Sequence, residues 1–561
     1  MFKGYIDQLR TEFTGYNPHR FLKDVMAGLT VAAVALPLAL AFGVGSGATA
    51  AAGLITAIIG GFVIGGLSGA SYQISGPTGA MTAILIMLAQ KYGLNGIFIA
   101  GFMAGILLVL AGIFKLGRII SFIPSSVITG FTSGIAIIIA LGQLDNFFGV
   151  SSHGEMAIAR FFSYFTYGFS PDLETLALGC IVIVVMLAWP KKWDAFFPSS
   201  LASLILVLLV NGFFQFKVAV VGEIPKTLFL PERLDIFQLP LNQFWDFFVP
   251  ALSIAALAMI ESLLCGASAG KLKNEKLNGD QELIAQGIGN MLIPIFGGVP
   301  ATAAIARSSV AIKSGGQTRV CGIIHAIGLL LSMFLLTPVM SEIPLSALAG
   351  VLLVTAWRMN DWKNINYIFE HKFKWGMMKF FITMVATVAL DLTQAIIIGV
   401  AFSSFFILIR LTDIDITISK VDNMRLQKIG IDIPAVPKQV QVAYLTGTIF
   451  FAVVEKLNQQ LVQLKGTSVL ILSMRGVPMM DLSGVQGLVE TVRYLSEDGT
   501  QVMLTSVQPK VLELLKRGNL IEIIGENHLF HSAADAIVYA NEEYIKEIME
   551  GEVDYESVLE A

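Results

Sequence analysis

Two ionisable side chains lie inside apolar runs of this 561-residue chain, and each can do chemistry there. Glu261 sits within Ala258-Met-Ile-Glu-Ser-Leu-Leu-Cys265, and Arg307 follows Pro300 by seven residues in Gly298-Val-Pro-Ala-Thr-Ala-Ala-Ile-Ala-Arg307. A charge at the centre of a bilayer costs at least about 2.5 kcal/mol, so each asks for a reason. Glu261 can carry a proton, or it can help hold Na⁺ with nearby carbonyl and hydroxyl oxygens. The structural alternative is a pairing with Arg307 or with a helix N-terminus. Arg307 can attract an anion, or it can pack a short helix against its scaffold. Thr78 offers a hydroxyl in a related stretch, and Phe42 can wall a cavity or simply pack.

The elements that must position these residues are two Gly/Pro-interrupted stretches, Ser75-Gly-Pro-Thr-Gly-Ala80 and Gly298 to Arg307. Each contains a proline that keeps the residue before it extended, and each opens an apolar run too short to cross a bilayer. They read as half-helices whose positive N-terminal ends and unpaired N–H groups can face one another and hold an anion. The spacing supports a pair, because Gly43 to Pro77 and Gly266 to Pro300 each span 34 positions, an offset of 223. Ser121-Phe-Ile-Pro-Ser-Ser-Val-Ile-Thr-Gly130 aligns with Ser341-Glu-Ile-Pro-Leu-Ser-Ala-Leu-Ala-Gly350 at an offset of 220. Through the first offset Glu261 falls on Leu38.

Composition sets the surroundings. The chain is 55% hydrophobic and 14% charged, with a mean hydropathy of +0.73, against roughly 25% charged in soluble domains. It reads as an integral membrane protein. A net charge of −4 gives no footprint for nucleic acid. Cys180, Cys265 and Cys321 all lie in apolar runs and read as small buried hydrophobes, without disulfides. The first apolar run starts near Val25 and continues too far for a cleavable signal peptide.

The segment 1–24 is expected along the membrane surface. Apolar spans follow at 25–46, 50–68, 78–90, 94–114, 119–142, 174–190 and 199–216, then at 246–267, 283–297, 301–313, 319–340, 343–357, 376–390 and 393–411. Seven spans per copy is odd, so the second repeat (246–411) enters from the side opposite to the first (25–216) and the repeat is inverted. Basic residues on alternate connections, including Lys115, Arg118, Lys191, Lys192, Lys271, Lys273, Lys276, Lys313, Arg319, Arg358, Lys363, Lys372 and Lys374, place both termini in the cytoplasm. Segments 143–173 and 212–245 are the longer external excursions. A linker at 412–437 leads to a soluble α/β domain at 438–550 and a tail at 551–561. Strands are expected at 440–445, 447–451, 468–473 and 501–506, and helices at 455–464, 484–496 and 511–517. Ser483, in Asp481-Leu-Ser-Gly484, can cap a helix or take a regulatory phosphate.

Leu36-Pro-Leu-Ala-Leu-Ala-Phe-Gly43, Ser75-Gly-Pro-Thr-Gly79, Ile260-Glu-Ser-Leu-Leu-Cys-Gly266, Gln286-Gly-Ile-Gly-Asn290 and Gly297-Gly-Val-Pro-Ala-Thr-Ala-Ala-Ile-Ala-Arg-Ser308 resemble the sulfate permease (SulP, solute carrier 26) family over essentially the whole chain, and the C-terminal unit resembles its STAS domain. The resemblance implies a helical polytopic fold of fourteen spans in a 7+7 inverted repeat, a core moving against a gate, and a homodimer. It places an anion between the half-helices, against Thr78 and Gly79 on one side and Ala304, Ile305, Ala306 and Arg307 on the other, with Leu38 and Phe42 lining the cavity. Vertebrate members have Gln at Leu38, which disfavours an animal-type chloride exchanger. Cyanobacterial sodium-bicarbonate members have Asp and Thr at Glu261 and Cys265, and loss of that hydroxyl weighs against Na⁺. The wording is most similar to bacterial proton-linked members, among them a dicarboxylate transporter.

The expected function is therefore secondary active transport of an anion of the sulfate, dicarboxylate or bicarbonate class by proton-coupled symport in the inner (plasma) membrane. No cofactor, metal or enzymatic activity is expected. A Na⁺-coupled bicarbonate symporter and an uncoupled channel are the alternatives. A membrane-bound sensor is more distant, and a nucleobase permease is disfavoured by the soluble domain and Arg307.

Overall fold

The computed structural model describes residues 2–118, 124–154, 157–190, 193, 197–235, 244–390, 392–412, 414–421, 426–427, 430–431 and 440–549. Ser121 to Ile123 of the repeat match, Lys191 and Lys192, most of the linker beyond 421 and the tail 551–561 lie outside the described residues. The chain divides into two compact units, Met1–Ser403 and Ser404–Ala561.

Five described helices are long and apolar enough to cross a membrane, the longest being Gly79–Ile113. That stretch is two helical segments joined end to end. Gly93, at φ 67° and ψ −169°, breaks it where the sequence separates 78–90 from 94–114. Asn17 caps the first span, which begins at Pro18 rather than near Val25 because the proline fits the first helical turn. Shorter apolar helices, among them Leu173–Ala188, Ser199–Phe214, Val320–Leu335 and Leu345–Met359, supply further spans.

The helices sort into two packed groups. In one, Gly79–Ile113 packs on Gly279–Leu292 and Phe244–Lys273, while Pro18–Gly45 packs on Ala50–Leu67 and Val320–Leu335. In the other, Ser125–Gly142 packs on Lys374–Ala389, and Leu345–Met359 on Leu173–Ala188. The groups meet where Leu345–Met359 and Ser199–Phe214 pack on Pro18–Gly45 and where Ser125–Gly142 packs on Gly79–Ile113. One continuous buried core, with Leu40 and Ile84 from the first group and Ile135, Val182 and Leu348 from the second, joins them.

The N-terminal segment does more than rest at a surface. Tyr5 and Gln8 of the helix Phe2–Phe13 donate to the Gly66 and Gly69 carbonyls. Glu12 pairs with Arg319 at 2.7 Å, with both side chains about 5% exposed. Fully buried Asp24 accepts from the Gln317 and Thr318 backbone, the Thr318 hydroxyl and Tyr16. Lys273 donates to Ser71 and to the Gln317 carbonyl. Arg319 and Lys273, expected as solvated topology charges, thus pin helix ends together, because the carbonyls there need donors. Cys265 and Cys321 are buried as expected, whereas Cys180 is exposed on its helix.

The second unit is a five-stranded sheet in the order β3-β4-β5-β6-β7, following the two-residue strands β1 (Ser75–Gly76) and β2 (Thr302–Ala303) of the first unit. β4 (Val440–Thr446), β5 (Val469–Gly476), β6 (Gln501–Thr505) and β7 (Leu529–Phe530) run parallel, and β3 (Asp415–Lys420) pairs antiparallel with β4. Alternation decides which side each residue serves. Leu470, Leu472 and Met474 face a core with Leu457, Leu488 and Val511, while Val469 and Ile471 face Ala536, Ile537 and Ala540.

Three expectations change here. The linker holds β3, whose alternating Ile416 and Ile418 form an edge strand. The stretch 447–451 is no strand, since Gly447 at φ 126° leaves extended geometry and only Ile449 bridges to Met480. Asp481, rather than Ser483, caps the helix Leu482–Glu497, accepting from Gly484 N at 2.7 Å.

Candidate functional site

The two interrupted stretches meet in space. β1 and β2 pair antiparallel, Ser75 with Ala303 and Gly76 with Thr302, and Ala304 N adds a bond to the Ile74 carbonyl. Beyond each strand a short helix begins, Gly79 to the break at Gly93 on one side and Ile305–Lys313 on the other. The two N-termini therefore converge from opposite directions, which concentrates their partial positive charge. The onsets at Gly79 and Ile305 are 226 residues apart, so the Pro77 to Pro300 match slips by three residues. The added length falls between Pro300 and Ile305, and around its start Thr56 exchanges bonds with Val299 and Asn290 with Ala301.

Glu261 lies on Phe244–Lys273, the helix beside the second half-helix and β2. Its Oε2 accepts from Thr78 Oγ1 at 2.9 Å. Thr78 also caps the first half-helix, its oxygen accepting from Met81 N at 3.4 Å. One hydroxyl thus joins the carboxyl group to the end of the helix dipole, while the Thr302 hydroxyl donates to the Ala303 carbonyl. Glu261 keeps partial exposure, as do Ala304 and Leu38, and Ile305 and Ala306 are exposed. Open surface around a carboxyl group and a half-helix N-terminus is what an anion cavity needs.

Arg307 is placed differently from Ala304, Ile305 and Ala306. It is 1% exposed, and its Nη2 donates to the Pro77 carbonyl at 2.7 Å. The guanidinium of the second half-helix thereby latches the entry to the first. Its Nη1 is buried without a hydrogen-bond partner among the described residues. Arg307 thus has no open surface of its own at the half-helix end, unlike Ile305 and Ala306. Phe42 and Gly79 come together, since a Cβ on Gly79 would stand 3.2 Å from the Phe42 ring and 2.7 Å from Ile139. Phe42 is buried, and Leu38 packs at the edge of the main core cluster.

Several supporting polar residues escaped the sequence reading. Ser262 Oγ accepts from Ala303 N, and its carbonyl accepts from Gln73. Ser308 Oγ accepts from Ile74 N and from Cys265 Sγ. Gln286 donates to Ser75 Oγ and to Glu282, which also accepts from Ser68 and Gly69 N. Their signal was a polar side chain recurring inside an apolar helix, as in Gln286-Gly-Ile-Gly-Asn290.

Gly76 provides a local test of the latch. A Cβ there would lie 2.5 Å from Arg307 Nη1 and 3.3 Å from the Ala57 backbone. Gly76→Ala is expected to lower the unfolding midpoint in detergent, at a cost of about 1–3 kcal/mol, and to reduce uptake with it. Gly65→Ala, where nothing lies within 4 Å, is expected to change neither.

Known proteins resemble this chain in both of its units. A model described as the sulfate permease family matches residues 21–412, and one described as the STAS domain matches 434–536. The chain is 34% identical to "Putative sulfate transporter YvdB" of Bacillus subtilis (strain 168), covering 92% of this chain and 97% of that protein. It is 29% identical to "Bicarbonate transporter BicA" of Picosynechococcus sp., covering 92% and 94%. Among solved structures, murine Slc26a9 in the inward-facing state superposes with a TM-score of 0.80 at 18% identity, covering 92% and 91%. The transmembrane domain of a cyanobacterial BicA superposes with a TM-score of 0.63 at 31% identity, covering 68% and 98%.

Proposed function

The chain belongs to the sulfate permease family of anion transporters, and from that premise we propose that it is a proton-coupled anion symporter working by alternating access. One observation carries this reading: the partly exposed Glu261 is hydrogen-bonded to the residue that caps the first half-helix. With Glu261 ionised, its negative charge offsets the half-helix ends and Arg307, and an anion is repelled. With Glu261 protonated, those positive groups act on the anion alone. Proton and anion therefore bind together and leave together, each strengthening the other equally. Thr78, Gly79, Ala304, Ile305 and Ala306 line the substrate position, Leu38 and Phe42 wall it, and Arg307 supplies a fixed charge behind it.

The substrate is an anion of the sulfate, bicarbonate or dicarboxylate class. The test is uptake by purified protein in liposomes, with a panel of labelled anions and imposed pH or Na⁺ gradients. Acid-outside uptake without Na⁺ is the expected result. Na⁺-coupled bicarbonate transport is the second reading, favoured by the similarity to a bicarbonate transporter. Against it, Cys265 offers sulfur where an oxygen would serve Na⁺, and that thiol is bonded to Ser308.

In this reading the protein sits in the plasma membrane as a homodimer with both termini cytoplasmic, and the STAS domain regulates rather than binds substrate. Ser483, partly exposed on the first turn of its helix, is the position where a phosphate would meet a helix N-terminus. All candidate substrate and coupling residues precede Leu411, so a chain truncated after that residue is expected to bind substrate in detergent with unchanged affinity. Truncation at Lys438 strands β3 without its partner β4 and is expected to aggregate more. A monodisperse 1–411 protein that no longer binds substrate refutes this division of labour.

A further inference from the structure

A cavity separate from the half-helix N-termini is lined by Gly117, Arg118 and residues between Leu263 and Asp280. It has a volume of about 670 Å³ and lies where Phe244–Lys273 ends and Gly279–Leu292 begins. This is the end of the bundle that carries the N-terminal helix, since Gln8 Nε2 and Asn278 N share the Gly69 carbonyl. Arg118, Lys271 and Lys276 line it together with Glu275 and Asp280. The two carboxylates are already engaged: Asp280 accepts from Gly117 N, and Glu275 accepts from Ser71 N and Oγ and pairs with Lys273. Lys271 and Lys276 are exposed and make no ion pair among the described residues. The cavity thus carries cationic charge that its own carboxylates do not neutralise.

Exposed apolar side chains occur on the same chain segments: Ile113 is 51% exposed and Phe114 71%, a few positions before the lining residue Gly117, and Leu272, next to Lys271, is 58% exposed. A cationic hollow at the end of apolar helices, with exposed apolar side chains on those same helix ends, matches a phosphate attached to acyl chains better than a free one. We propose that this cavity binds the headgroup of an anionic glycerophospholipid, with Lys271 and Lys276 on the phosphate and the acyl chains along Ile113, Phe114 and Leu272. None of Thr78, Gly79, Glu261 and Ala304 to Arg307 lines this cavity, so the bound lipid braces the junction of the two helices rather than competing with substrate.

The test uses the full-length protein in phosphatidylcholine nanodiscs with or without phosphatidylglycerol, alongside the double variant Lys271→Gln/Lys276→Gln. In wild type, phosphatidylglycerol is expected to raise the unfolding midpoint and to co-purify, as seen by native mass spectrometry. In the variant, retention of phosphatidylglycerol is expected to fall several-fold and the shift to vanish. Inorganic phosphate added to the detergent-solubilised protein is expected to produce no shift. Equal retention and equal shift in wild type and variant overturn the proposal. A full shift from inorganic phosphate overturns the lipid assignment and makes the cavity a soluble-phosphate site.

Discussion

Glu261→Gln is expected to keep anion exchange and to lose the acceleration that an acid-outside gradient gives to uptake. Glutamine retains an oxygen that accepts from Thr78 Oγ1, the bond that Glu261 makes at 2.9 Å, so the first half-helix keeps its cap. It cannot release or take up a proton, and it stands in for the protonated acid. The size follows from Coulomb's law: an anion about 6 Å from an ionised carboxylate meets roughly 3 kcal/mol of repulsion at an effective dielectric of about 20. That corresponds to roughly a hundredfold in affinity. Wild-type affinity is therefore expected to fall steeply as pH rises through the titration of Glu261, whereas the glutamine variant stays at the acid-side value throughout. The measurement is the apparent affinity for labelled anion against pH, paired with uptake under imposed gradients. A variant that remains fully pH-driven assigns the proton to another group, and uptake that follows a Na⁺ gradient at constant pH replaces the proton with sodium.

Arg307→Ala is expected to weaken anion transport by tenfold or more, about 1.4 kcal/mol or above, without preventing folding. Two losses combine. The Pro77 carbonyl, which receives Arg307 Nη2 at 2.7 Å, loses its charged donor, and the half-helix pair loses a positive charge held behind it. Arg307→Lys separates them, because lysine keeps the charge but not the planar fork. Uptake restored by lysine, with a lowered unfolding midpoint, shows that the field matters most for the anion. Uptake as poor as in the alanine variant shows that the latch geometry does. Unchanged kinetics in Arg307→Ala remove Arg307 from the anion site and leave the backbone donors of the half-helices to hold the substrate.

Both variants rest on residues that stood out in the sequence, since a charge in an apolar run is visible without any fold. The helix breaks were visible for the same reason. Gly93 and the prolines at 77 and 300 mark local backbone requirements, and local requirements are written in residue type. The alternating apolar pattern of Val440 to Leu445 and Val469 to Met474 likewise announced strands. The β3 edge was legible too, in Ile414, Ile416 and Ile418, but charged neighbours made it resemble a linker. Residues 447–451 carried strand composition yet turned at Gly447, because a positive φ of 126° overrides the propensity of the Ile and Phe that follow.

What the sequence by itself determined is the inventory: apolar spans, two interrupted stretches in related positions, one carboxyl and one guanidinium group among them, and a separate α/β unit. Only the tertiary structure decided the partners. Thr78 reaches Glu261 across 183 positions, Arg307 reaches Pro77 across 230, and Glu12 reaches Arg319 across 307. It also decided that Arg307 lies buried behind the crossing while Ile305 and Ala306 face open space. The reason is physical. Hydrophobic period and backbone preference act over a few residues and can be read one segment at a time. The partner of a buried polar group depends on which carbonyl or hydroxyl the close-packed helices bring within about 3 Å, and that is settled only when all of them are in place.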